Sequence, residues 1–292
     1  MEYEAPQYTM TFDDDEGQVT KGSDASPEAL NSLTQKVLSS AAPAPEIGPA
    51  PDTFVKLPAG LVTEGGIVRE AEVQELTGEH EEALAKARAN NNPGRFVQVL
   101  LSSGVVSLGD DKPDNKTWNT LLQGDIDALL LGIRKATFGS EFELEQVRCP
   151  NCGEVNDLKM NLNDIPMKEL DDPNEREVDV ELRFGRKAKV TFPTGEVQNE
   201  IFKNAGALTD PELVTLLLSH CVLGFYEKDG SYRPSNGATD VKKMGKVDRD
   251  KVNVYIYENQ PGPRYDEVKA ACHACESEVE VPLNVGILFQ EL

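Results

Sequence analysis

Between residues 54 and 292, apolar side chains recur with two spacings, one alternating and one helical, and the switches between them mark out the elements. FVKLP and IVREAEV alternate around TEGG (63–66) and predict a strand pair. LTGEHEEALAKARANNNPG predicts a helix. Thr77 is its cap, acids fill the first turn, Lys86 and Arg88 come late, and Pro93 stops it. A short helix (RFVQVLLSS), a strand (GVVSLG) and a helix pair within TWNTLLQGDIDALLLGIRKATFG follow. In the last helix Asp125 is placed to cap and Gly139 to terminate, with Trp118 and the leucines as core.

FELEQVRCPNCGEVNDLKMNL reads as strand, knuckle, strand, and VDVELRFGRKAKVTF as a hairpin. In the hairpin, Val178, Val180 and Leu182 alternate with polar residues on one side, and Ala188, Val190 and Phe192 on the other. Thr209-Asp210-Pro211 opens an apolar helix, PELVTLLLSHCVLGF, in which Cys221 is a core thiol and His220 a satisfied or peripheral histidine. Residues 226–246 are polar and glycine-rich, which predicts a loop. VNVYIY fits both periods. It alternates like a strand, yet Val252, Tyr255 and Ile256 form a helical stripe behind Asp248 as cap, and PGP at 261–263 ends either form. YDEVKAACHACESEVEVPL is again strand, C-x-x-C, strand.

The two C-x-x-C pairs, Cys149/Cys152 and Cys272/Cys275, are each a weak signal. Two of them flanked by strands are a strong one, because four thiolates at about 2.3 Å from one ion form the closed tetrahedral shell of structural zinc. Such a shell leaves no position for a catalytic water. The same ligands would also suit iron. His273, inside the second knuckle, can stand in for a cysteine, and a thiol–disulfide pair or a disulfide between the knuckles are the other readings. A helix beginning at the C-x-x-C would lower the thiol pKa, but GEVNDLKMNL after Cys152 does not read as a helix start.

These elements predict an α+β fold: small β-hairpins and helices around a split four-cysteine zinc ribbon, with an extended N-terminal arm. The arm is residues 1–52, where DDDE (13–16) and AAPAPEIGPAP (41–51) cannot bury enough apolar surface to fold alone. It contains one candidate short helix, 27–40, with Ser26 as cap, Pro27 first, and Leu30, Leu33, Val37 and Leu38 on one face. Residues 53–140 are expected to form a mainly helical domain. Residues 141–292 are expected to form a ribbon-stapled domain with a long α/β insertion at 156–264.

A formal net charge of −22 makes free nucleic acid a poor partner, since phosphate binding needs clustered Lys and Arg. RFGRKAK (183–189) is the best local basic patch and also reads as a solvated hairpin turn. No stretch approaches 18 consecutive apolar residues, so no membrane span is expected, and the acidic first residues lack a signal pattern, which predicts synthesis in a cytoplasm-like compartment. H-E-x-x-H, G-x-S-x-G and P-loop patterns are lacking, and no enzyme is expected.

Several segments together resemble a known family: LPAGLVTEGGIVREAEVQELTGEHEEALAKA, NNPGRFVQVLLSSGVVSLG, LLQGDIDALLLGIRKATFG, CPNCG, DIPMKELDDP, ELRFGRKAKVTFPTG and PGPRYDEVKAACHAC. Over about residues 54–292 the chain resembles the baseplate hub and tail-assembly proteins of contractile-tailed phages of the T-even type. The resemblance implies a non-enzymatic virion tail part, or a factor that builds the hub, made in the bacterial host's cytoplasm. It implies other tail and baseplate proteins as partners, with the arm 1–52 suited to wrapping them.

Overall fold

The computed structural model describes residues 11–13, 19–21, 53–89 and 92–292. The chain divides into two units, 1–49 and 50–292. In the first, β1 (Thr11–Asp13) and β2 (Val19–Lys21) pair antiparallel, with Thr11 opposite Lys21. The helix expected over 27–40 lies outside the described residues.

The second unit opens with the expected hairpin, β3 (Phe54–Thr63) and β4 (Gly66–Val73), to which β5 (Val105–Leu108) adds as a third antiparallel strand. The register of β3 against β4 slips between Lys56 and Leu61, so the Ala59 and Gly60 amides are turned away from β4. Helices α1 (Gly78–Ala89) and α2 (Pro93–Gly104) link β4 to β5. Thr77 holds the start of α1 as expected: its carbonyl accepts from Glu81, and its own N–H donates to His80 Nδ1. Pro93 does more than stop α1, for it begins α2 behind Asn92, whose side chain accepts from the Arg95 amide.

The expected helix pair is α3 (Asn115–Thr120) and α4 (Gln123–Phe138), ended by Gly139 at φ 84°. Trp118, Ile126, Leu129, Leu130 and Ile133 are all buried. Asp125 is a correction. It is the third residue of α4 behind Leu122, and its Oδ1 accepts from the Ala59 and Gly60 amides of β3 at 2.8 and 3.2 Å instead of capping its own helix. Gly124 beside it is required by a close crossing, since a Cβ there would lie 1.6 Å from the Pro261 carbonyl oxygen.

Hairpin β6–β7 (Glu141–Arg148, Val155–Asn161) carries the first knuckle. The hairpin β9–β10 (Glu177–Glu181, Lys187–Thr191) forms as expected, with Val180, Leu182, Ala188, Val190 and Phe192 buried. A short strand, β8 (Met167–Lys168), precedes it. Three corrections follow. GEVQNEIFKN, without an assignment from sequence, is helix α5 (Gly195–Asn204). The apolar helix α6 stops at Cys221 (Asp210–Cys221), and VLGFY becomes strand β11 (Val222–Tyr226) against β10. The polar stretch after it holds strand β12 (Tyr232–Pro234) and helix α7 (Ala238–Lys243). The sheet order is β12-β11-β10-β9, antiparallel throughout.

The ambiguous VNVYIY is helical, within α8 (Lys246–Asn259). Asp248 is again not a cap: Gly245 precedes the helix, and Asp248 Oδ1 accepts from the Arg183 amide and Nε at 2.9 and 3.2 Å. That contact uses the basic patch internally. Arg183 and Arg186 both pair with Asp248 in the β9–β10 turn, where Phe184 sits at φ 62°. After α8 come β13 (Gly262–Pro263), paired with β8, then the hairpin β14–β15 (Lys269–Ala271, Glu278–Glu280) and α9 (Val285–Leu288).

Two buried clusters organise the unit. One joins β3–β5, α1, α2 and α4 to the two ribbon hairpins, with Leu57, Leu100, Leu129, Phe142, Leu158, Val279 and Phe289 among its members. The other joins the four-stranded sheet to α6 and α8 through Val190, Leu218, Phe225, Val252 and Ile256. The mixed fold agrees with the α+β expectation. Among the described residues no helix is long and apolar enough to cross a membrane.

Candidate metal centre

Each C-x-x-C lies in a tight turn between two strands, and the two turns share a hydrogen-bond pattern. In the first, the Cys149 amide donates to the Glu154 carbonyl at 2.8 Å, and the Gly153 amide donates to the Cys149 carbonyl at 3.0 Å. In the second, Cys272 donates to Ser277 and Glu276 donates to Cys272, both at 2.9 Å. The residue after the second cysteine takes the left-handed conformation in both, Gly153 at φ 77° and Glu276 at φ 58°. Neither pair opens a helix: the chain runs into β7 after one and β15 after the other. The helix dipole that activates a redox C-x-x-C is therefore missing from both.

All four sulfurs lie within 4.8 Å of one another. The close contacts run across the knuckles, with Cys149 to Cys275 and Cys152 to Cys272 both 3.7 Å. Four sulfurs at about 2.3 Å from one ion stand about 3.8 Å apart at the edges of a tetrahedron, so the spacing fits a four-thiolate metal shell. It does not fit a disulfide at about 2.05 Å, and all the cysteines are free thiols.

The electrostatics point the same way. The Ser277 hydroxyl and amide and the Asn151 side chain hold the Cys275 thiol down to about 6. Cys272 is lowered too, first by the Ala274 amide. At Cys152 the Glu154 amide favours the thiolate, but the sulfur of Cys275, burial and the sulfur of Cys272 outweigh it and push the group up to about 12. Four thiols facing one point cannot all ionise without a cation among them, and a divalent ion removes that conflict.

Sequence reasoning found the four cysteines but missed the residues that join the knuckles. Asn156 is buried; its amide donates to the carbonyls of Glu154 and Val147 at 3.1 and 3.4 Å, and its Oδ1 accepts from the His273 amide at 3.0 Å. The His273 ring also reaches Asn156 Oδ1, at 2.9 Å. Since that oxygen only accepts, Nδ1 carries the proton, and the ring is a brace between knuckles rather than a replacement ligand. Asn151 bridges in the other direction, donating to Ser277 Oγ at 3.0 Å. No local pattern announces either asparagine, because their partners are more than a hundred residues away in sequence.

The remaining sequence candidates are structural. Burial pushes the Cys221 thiol up to about 12, which leaves it inert. His220 Nε2 pairs with Glu200 at 2.9 Å at the surface.

A family model described as T4 bacteriophage base plate protein matches residues 56–237. That span contains the first cysteine pair and ends before the second. Neither a search of curated proteins nor one of solved structures finds a match.

Proposed function

The chain belongs to the T4 bacteriophage base plate protein family, and on that premise we propose that it is a non-enzymatic structural component of the baseplate hub, held in shape by a structural zinc on Cys149, Cys152, Cys272 and Cys275. The family supports a virion tail location and other tail proteins as partners. The observation that carries the metal reading is the four-sulfur cluster with its 3.7 Å edges. A closed thiolate shell has no open position for substrate, so the ion supplies folding energy. It fastens β6–β7 to β14–β15 and thereby closes the intervening chain. Thiolate softness favours zinc or iron over magnesium or calcium, and the colourless d¹⁰ ion suits a site with no redox task.

The acidic, proline-rich segment 1–52 is the part we assign to wrapping neighbours, on composition alone. Mass spectrometry and metal analysis of purified tails test the proposal together. The expected result is this protein in mature tails with about one zinc per chain. Presence in infected cells but absence from tails would replace the component by an assembly chaperone, and metal-free native protein would overturn the zinc reading.

A further inference from the structure

Helix α4 sends one cation into the interior. Arg134 is 3% exposed, and its guanidinium lies over two rings, 4.4 Å from the centre of Phe138 and 5.4 Å from that of Phe142. Its Nη2 donates to Glu291 Oε1 at 3.1 Å, while Nε and Nη1 are buried without a hydrogen-bond partner. Among the described residues Glu291 is the one carboxylate that pairs with it. Burial pulls the Arg134 pKa below the ordinary arginine value, against the effect of Glu291. A buried cation stripped of its counter-charge is costly, which sets this pair apart from exposed pairs of the ribbon such as Lys159 with Glu143 at 3.2 Å.

Phe138 is on α4 itself, but the other two neighbours of Arg134 belong to the two halves of the metal centre. Phe142 lies on β6, the strand that runs into Cys149 and Cys152. Glu291 lies on the segment that follows β15, the strand after Cys272 and Cys275. That segment is packed down along its length, with Val281, Leu283, Leu288 and Phe289 all buried. Arg88 of α1 holds it from a second side, donating to the Phe289 carbonyl at 2.9 Å and to the Leu292 carbonyl. One guanidinium of the helical core therefore touches both of the chain segments that the four sulfurs bring together.

We propose that Arg134 and Glu291 form an ionic clasp that sets how tightly the four cysteines hold their ion, with Arg134 as a positioning residue and segment 284–292 as the strap that it fastens. The inference rests on the proposed metal reading. The ribbon closed around an ion is the same conformation in which Phe142 and Glu291 flank Arg134. Clasp and ion favour one state, so each strengthens the other by the same factor. Loss of the ion frees the strap, and loss of the clasp weakens the hold on the ion although neither residue supplies a ligand atom.

The test compares the full chain with its Glu291→Gln and Lys159→Gln variants. Zinc affinity is read by competition with a chromogenic chelator, and amide hydrogen exchange is read on the zinc-loaded proteins. Glu291 is 42% exposed, so the glutamine stays within reach of water while the charge is lost. Glu291→Gln is expected to bind zinc about tenfold more weakly and to exchange faster in both β6–β7 and β14–β15. Lys159→Gln breaks only an exposed pair on the ribbon and should stay within about twofold of wild type. Unchanged affinity or unchanged exchange in Glu291→Gln, or an equal loss in Lys159→Gln, would overturn the clasp while leaving the metal reading intact. A wild type that binds no zinc would overturn the metal reading, and the linkage with it.

Discussion

Two kinds of staple hold this chain across long sequence separations. At the ribbon, Cys149 meets Cys275 and Cys152 meets Cys272 over 126 and 120 residues. Elsewhere, Asp125 fastens α4 to the β3 bulge over 66 residues, and Asp248 fastens α8 to the β9–β10 turn over 65. The carboxylate staples already have their donors within the chain, each through its Oδ1, while Asp125 Oδ2 and Asp248 Oδ2 lie buried without a hydrogen-bond partner among the described residues. The thiol staple is not so supplied: its sulfurs repel one another's charge, and on the proposed reading an ion among them would complete it. On that reading one kind depends on an ion from solution, and the other on burial and neighbouring arginines within the chain.

The largest effect should come from breaking the thiol staple. Cys149→Ser, or a strong chelator added to the wild type, is expected to unfold the two ribbon hairpins. Apparent metal binding energy at four-thiolate sites is on the order of 10 kcal/mol, and on the proposed metal reading it would be folding energy here. Near-ultraviolet circular dichroism and limited proteolysis between residues 141 and 162 would report the loss. An unchanged melting curve with stoichiometric chelator would show that the ribbon stands without metal and would erase the contrast.

Next comes Asp125→Ala, which strands the Ala59 and Gly60 amides in the interior. Two buried unsatisfied donors cost roughly 2–5 kcal/mol. Urea unfolding should show this loss without any change in metal content. Asp125→Asn should cost less, since a carbonyl oxygen still accepts from both amides.

The two carboxylates also differ in sign with pH. Burial dominates at Asp125 and raises its carboxyl above the ordinary value despite the Ala59 and Gly60 amides. Burial pushes Asp248 the same way, but the Arg183 amide and guanidinium, with Arg186, outweigh it and hold the group below the ordinary value. A lowered carboxyl stabilises the fold above the unfolded-state value of about 4 and loses that contribution as pH falls through the folded value. A raised one contributes fully below about 4 and loses its contribution as pH rises through the folded value. Asp248→Asn should therefore cost about 1–2 kcal/mol at pH 7 and progressively less below pH 4. Asp125→Asn should improve relative to wild type as pH rises. Parallel pH–stability curves for the two variants would show that the arginines over Asp248 do not matter.

The ribbon was legible because its signal is local. Two cysteines three apart, with alternating Phe142, Leu144 and Leu158 beside one pair and Val279 and Val281 beside the other, fix a turn and its strands without reference to the rest of the chain. The carboxylate staples were misread as caps for the opposite reason. An acid in the first turn of a helix ordinarily serves that helix, and only the tertiary fold brings a bulge or a hairpin turn within its reach. The same override ends α6 at Cys221. VLGF continues the apolar stripe of that helix, but Val222 and Phe225 pair with β10 as a strand. Helix α5 escaped because Thr194 precedes it without a capping box, and among its residues only Gly195 and Val197 are buried.

The smallest effect would sharpen the comparison inside the ribbon itself. Gly153 and Glu276 occupy equivalent left-handed positions, and only glycine adopts that conformation without steric cost. A side chain there costs about 1–2 kcal/mol, of which glycine's greater freedom in the unfolded chain returns roughly half. Among the described residues, the Glu276 side chain forms no hydrogen bond or ion pair that would offset the strain. Glu276→Gly should therefore stabilise the protein by about 0.5–1 kcal/mol, a rise of a few degrees in melting temperature. The gain should be present in the metal-loaded form and vanish in chelator, because it belongs to a turn that exists only while the ribbon is folded. A gain that survives chelation would mean that the second knuckle holds its turn without the ion, and that the thiol staple resembles the carboxylate staples more closely than its chemistry suggests.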